Sequence, residues 1–160
     1  MEKQKAQDEL LKNQQSELKE AIEKGGKRAK GDVPNRQGRK VQELATETLE
    51  QIPGATVDPN VKIGNGVGSQ IDNVVTKGGK TAYVESKLTI REVNERTINQ
   101  LTNAVNKAGE GDSVFLHVAR APTKAERASL KEALGNKVYD RVTIVSKLTD
   151  LFHKVNAALP

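Results

Sequence analysis

Between residues 81 and 88 polar and apolar side chains alternate with a period of two. Thr81, Tyr83, Glu85 and Lys87 share one face, and Ala82, Val84, Ser86 and Leu88 share the other. That is the pattern of a strand. The run before it, 70–77, reads as its partner, because Gly78-Gly79 supplies the positive-φ positions of a tight hairpin turn. Around this hairpin the period changes to that of helices. Val41, Leu44, Ala45 and Thr48 predict a helix over 39–50, closed by Pro53-Gly54. Val93, Thr97, Ile98, Leu101, Ala104, Val105 and Ala108 predict a second over 92–108, ended by Gly109.

The remainder of the chain continues the alternation of element types. A strand is expected at 113–119, then a helix over 124–134 opened by the capping pair Thr123 and Glu126 and ended by Gly135. A strand is expected at 138–145 and a last helix lined by Leu151, Phe152, Val155 and Leu159. A short strand is expected near 61–63. Helices interleaved with strands predict an α/β sandwich with a mixed central sheet. Residues 1–24 read as a polar helix whose stripe of Leu11, Leu18 and Ile22 is too narrow for a core helix, so it is expected to be peripheral. Residues 25–38 are rich in Gly, Pro and basic residues and read as a linker. The domain division is therefore 1–38, polar helix and basic linker, and 39–160, the folded domain.

Composition narrows the chemistry. At 160 residues the chain fits one domain, and without cysteine it has no disulfide frame, thiol nucleophile or cysteine-ligated metal. No apolar run suits a membrane span, so no stable membrane insertion is expected. The N-terminal MEKQKAQDEL lacks the apolar region of a signal peptide. The formal charge is +5, and Lys24–Lys40 holds seven basic residues against the single acid Asp32. This permits a polyanionic partner. Lys27, Arg28, Arg36 and Arg39 in that stretch, with Lys124 and Arg127 on the later helix, are candidates to grip backbone phosphate.

The chemistry-bearing residues gather at the hairpin. Glu85 and Lys87 stand roughly 6–7 Å apart on one strand face, and Asp72 on the partner strand can be carried beside them. Two carboxylates and an amine at a sheet edge can hold a hard divalent cation next to a phosphate, with a backbone carbonyl near Ser86 as a further ligand. Gln70 shares the face of Asp72 and is a candidate for water or phosphate. In the first helix Glu47 lies about 60° from Leu44, at the edge of the apolar face, whereas Glu43 and Glu50 point away. Glu47 is therefore the helix carboxylate expected to look onto the sheet. Tyr83 shares the Glu85 face as a stacking or packing residue, His117 is expected to pack with a hydrogen bond, and His153 is expected at the surface. The glycines at 64, 66 and 68 precede a strand rather than a helix, which excludes a dinucleotide fingerprint.

The pattern Asp72-x12-Glu85-Ser86-Lys87, with a helix bearing Glu47 before it and a helix after it, resembles the PD-(D/E)XK nuclease superfamily over roughly residues 39–146. It is particularly similar to the C-terminal toxin nucleases of polymorphic and contact-dependent growth inhibition proteins. Ile71 stands where that family's motif has proline. The resemblance implies a restriction-endonuclease-like sandwich. It also implies Mg²⁺ or Mn²⁺, ahead of Zn²⁺, on Asp72 and Glu85 with Glu47 completing the site, and Lys87 assisting attack. It implies an endonuclease toxin, delivered from the cell surface within a larger protein to act in a target cytoplasm, and a cognate immunity protein; it does not decide between DNA and tRNA, of which DNA is slightly favoured. From the residues alone, a non-catalytic module binding nucleic acid or protein is the alternative.

Overall fold

The computed structural model describes residues 9–16, 33–90 and 94–159, with 33–38 described as backbone. Eleven elements follow along these residues. They are α1 (9–16), α2 (Val33–Glu50), β1 (Thr56–Lys62), β2 (Gln70–Lys77), β3 (Lys80–Lys87) and α3 (Glu95–Lys107). Then come β4 (Ser113–Val118), α4 (Lys124–Leu134), α5 (Asn136–Arg141), β5 (Val142–Val145) and α6 (Leu148–Ala158). The strands form a five-stranded sheet in sequence order, β1 to β3 antiparallel and β3 to β5 parallel. A short turn suffices for β2–β3, whereas each parallel step needs a crossover, supplied by α3 and then by α4 with α5.

Each face of the sheet has its own core. Leu11 of α1, Val41, Leu44, Ala45 and Leu49 of α2 and Leu148, Leu151, Phe152 and Val155 of α6 pack on Val75, Ala82, Val84, Phe115 and Val145. On the other face Leu101 and Ala104 of α3 and Leu130 and Leu134 of α4 pack on Ile71, Val74, Tyr83, Val114, Leu116, Val118 and Val142. The chain is thus an α/β sandwich, a mixed central sheet flanked by helices.

Four expectations are corrected. First, α2 begins at Val33, so the division at residue 38 falls inside a helix and part of the expected linker is helical. Second, 9–16 is not peripheral: Leu11 is 1% exposed and Gln15 Oε1 accepts the Leu148 N–H at 2.6 Å, tying α1 to the start of α6. A thin stripe suffices because one fully buried leucine contributes about 2 kcal/mol. Third, β1 is longer than the apolar pattern suggested. It is an edge strand, and an edge tolerates Pro59 and the exposed Asp58 that would disqualify a central one. Fourth, 136–141 is helical, leaving a strand of Val142–Val145 only. Val138 and Tyr139 are adjacent, not alternating, and both pack on the α3–α4 side, with Lys131 Nζ 5.8 Å from the Tyr139 ring centre.

Candidate active site

The β2–β3 ladder runs from Lys77–Lys80 to Asn73–Val84 and stops there. β2 stays paired with β1 as far as Gln70, so beyond Asn73 it leaves β3 and a fork opens. Ile71 and Val74 serve the same core although three residues apart, so the strict alternation of β2 is broken within this segment. Side chains take over the work of the ladder. The Asp72 N–H donates to Glu85 Oε1 at 3.1 Å, and the Ser86 N–H donates to Asp72 Oδ2 at 2.8 Å. Lys87 Nζ lies 3.1 Å from Glu85 Oε2. In a strand the N–H and C=O of one residue leave on the same side, so the Ser86 carbonyl is directed into this fork as well.

The electrostatics of the fork are unusual for surface carboxylates. Glu85 is 1% exposed, and burial, followed by the neighbouring Asp72 charge, pushes its pKa up to about 7 against the pull of Lys87. Burial also raises Asp72, opposed by the Ser86 N–H, Lys87, Glu85 and Arg96. Two acids forced together in a desolvated fork are costly to ionise. A hard divalent cation between them would remove that cost, and carboxylate and carbonyl oxygens are the donors it prefers. The residues fit such an ion. Among the described residues no cluster of three His, Cys, Asp or Glu side chains forms; the oxygens that would hold an ion here are the two carboxylates and the Ser86 carbonyl.

Of the residues singled out by sequence, the fold brings together Asp72, Glu85 and Lys87 and places Gln70 in the adjoining cavity. It does not bring Glu47. Gln42 and Thr46 occupy the flank of α2 that meets the sheet, bonding Asn60 and Asn73 at 3.1 Å each. Glu47 lies on the other flank, exposed, and accepts from Gln14 Nε2 of α1 at 3.5 Å. The expectation that Glu47 faces the sheet is corrected on that geometry: the docking of α1 and the rotation of α2 turn it away. Arg39, Lys124 and Arg127 are exposed, and no hydrogen bond or ion pair links them to the fork. Lys27 and Arg28 lie outside the described residues, and Arg36 is described by backbone only. Tyr83 is a core residue of the α3 side, not a stacking platform. His117 is fully buried, its pKa lowered to about 4 by desolvation; the hydrogen bond expected for it is not well formed, neither ring nitrogen having a partner of good geometry among the described residues, and His153 is exposed against the edge of Phe152. Arg96, on the first turn of α3, went unnoticed in the sequence, where only the cap at Asn94 marks that turn.

No family model and no curated protein matches the chain. Among solved structures it is similar to SfsA of Pyrococcus furiosus, described in complex with Ca²⁺, at 16% identity and a TM-score of 0.42. The match covers 70% of this chain and 55% of that one, so the chain spans about half the length of that protein.

Proposed function

We propose that this chain is a divalent-metal-dependent endonuclease that hydrolyses nucleic-acid phosphodiester bonds. The observation that carries the reading is the fork itself: two carboxylates, buried Glu85 and half-buried Asp72, held by the Asp72 and Ser86 N–H groups respectively and flanked by Lys87. Asp72, Glu85 and the Ser86 carbonyl would hold Mg²⁺ or Mn²⁺. When bound, such an ion polarises the scissile phosphate and lowers the pKa of the attacking water. Lys87 brings a cation within 3.1 Å of Glu85, where it orients water and offsets charge on the phosphorane. The backbone donors of Asp72 and Ser86 fix both carboxylates in place before substrate arrives.

Duplex DNA is the favoured polymer. Tyr83, Phe115 and Phe152 are all buried, and Tyr139 packs against the α3 core, which removes the aromatic platforms used to stack splayed bases of single strands. Delivery as the toxic part of a larger bacterial protein, and neutralisation by an acidic immunity protein, extend the proposal through the family resemblance. Titration with the neighbouring gene product tests the latter, and absence of a complex counts against it. The nuclease itself is tested by incubating purified protein with plasmid DNA and total tRNA in Mg²⁺, Mn²⁺ or EDTA, beside Asp72→Asn and Glu85→Gln. Metal-dependent cutting lost in both variants is expected, with plasmid cut faster. Folded protein that cuts neither polymer with any metal points instead to a binding module.

A further inference from the structure

Beside the fork lies a cavity of about 230 Å³ lined by Gly66, Val67, Gly68, Ser69, Gln70 and Arg96. Its wall is a glycine loop stapled to α3. Asn99 Nδ2 donates to the Val67 carbonyl at 3.2 Å, Asn103 Nδ2 to Gly68 at 3.2 Å and Gln100 Nε2 to Gln70 at 2.9 Å. The Ser69 carbonyl accepts the Ile63 N–H at 2.6 Å. Three side-chain amides of one helix thus draw in the loop's carbonyls. In a planar trans peptide the N–H points opposite to the C=O, so the Gly68 and Ser69 N–H groups face away from α3. Neither donates a hydrogen bond among the described residues.

The close approach is possible only for glycine. A Cβ on Gly68, at φ +75°, would stand 2.6 Å from the Arg96 carbonyl and 2.7 Å from Asn99 Cβ. Arg96 lines the same cavity, exposed and without a hydrogen bond or ion pair among the described residues. Its charge reaches Asp72, which it helps to hold ionised, so the cavity and the fork are neighbours. Glu95, on the same turn, is not part of the lining. Unused backbone donors, a rigid glycine wall and a free guanidinium form a site for an oxyanion.

We infer that this cavity is a phosphate subsite, in which Arg96 and the Gly68 and Ser69 N–H groups hold a backbone phosphate adjacent to the one presented to Asp72 and Glu85. As a position for nucleic acid it rests on the nuclease reading; as an oxyanion site it does not. A bound phosphate here would set the register of the strand so that its neighbour falls at the fork. Gln70 lines the same cavity and stands two residues before Asp72 in β2.

The test separates the two readings. Inorganic phosphate is titrated into ¹⁵N-labelled protein in EDTA, and the amide resonances of residues 66–70 are followed in wild type, Arg96→Ala and Arg96→Lys. Saturable shifts at Gly68 and Ser69 are expected in wild type, absent in Arg96→Ala and partly restored in Arg96→Lys. Absence of such shifts, or shifts unchanged by Arg96→Ala, overturns the subsite. In parallel, affinity for a short DNA duplex in EDTA is measured against salt. Arg96→Ala is expected to bind about 10-fold more weakly, with a salt slope reduced by about 1. If wild type cuts DNA and Arg96→Ala binds and cuts equally well, the subsite fails while the nuclease stands. If wild type cuts nothing yet phosphate moves Gly68 and Ser69, the oxyanion site stands and the nuclease fails.

Discussion

The two ends of the β2–β3 hairpin are built from neighbouring residues and obey different physics. At the turn end Lys77 pairs with Lys80 across Gly78 and Gly79, both at positive φ, and the strands are zipped by backbone alone. At the other end the zipping stops at Asn73–Val84, and Asp72 and Glu85 complete the missing bonds with side chains. The first arrangement satisfies the backbone at little electrostatic cost. The second satisfies it with carboxylates that burial holds above their ordinary pKa values. A sheet that stayed closed along its length would have no room for a cation or a phosphate. The closed end therefore carries stability, and the open end is where the proposed chemistry would sit.

The sharpest way to test this contrast is at the open end. Asp72→Asn and Glu85→Gln should each lower the rate of nucleic-acid cleavage by ~10³-fold, the loss of several kcal/mol of metal-dependent stabilisation. The expected companion result is an unchanged circular dichroism spectrum; retained cleavage in either variant would break the contrast. Lys87→Met should cost about 10²-fold in cleavage rate at saturating metal, with substrate affinity little changed. Single-turnover kinetics separate the two quantities.

Stability against pH, measured in EDTA, sharpens the contrast further. Glu85 titrates near 7 in the folded state against 4.5 for the ordinary group, so the native state binds more protons between those values. Its contribution is present at low pH and is lost as pH rises through about 7. His117 works the other way: lowered from 6.5 to about 4, it contributes above 6.5 and is lost on acidification through that window. Between about pH 4.5 and 6.5 the two slopes therefore oppose each other, and the wild-type melting temperature should change little there. In Glu85→Gln the opposing slope is gone, so the loss on acidification due to His117 should appear in that window. Mg²⁺ should raise the wild-type melting temperature at alkaline pH through binding to the native state, and Glu85→Gln should respond far less.

The smallest effect is expected at the closed end. Gly79 has φ +80° and open space around its Cβ position, so Gly79→Ala meets backbone strain and no clash. It should cost about 1–2 kcal/mol in denaturant unfolding, with cleavage per folded molecule unchanged. A loss of specific activity there would show that the two ends are coupled.

Much of this was legible in the chain because it is local. The period-two run of β3, the Gly78-Gly79 turn, the apolar face of α3 and the Thr123–Glu126 capping box each depend on a few neighbouring residues, and each formed as read. Asp72, Glu85 and Lys87 could be grouped because one short hairpin relates them. The rest depended on how distant elements dock. The rotation of α2 is set by its contacts with α1 and the sheet, and that rotation gives Thr46 to Asn73 and turns Glu47 towards Gln14. Whether Leu11 is buried depends on a groove made by α2 and α6. The strand at β1 exists because an edge accepts proline, and edge position is a property of the sheet. The point at which β2 parts from β3, the burial that lifts Glu85, and the meeting of Arg96 with a glycine loop some thirty residues away in the chain were decided by tertiary packing alone, since each arises from surfaces that exist only once the layers have closed.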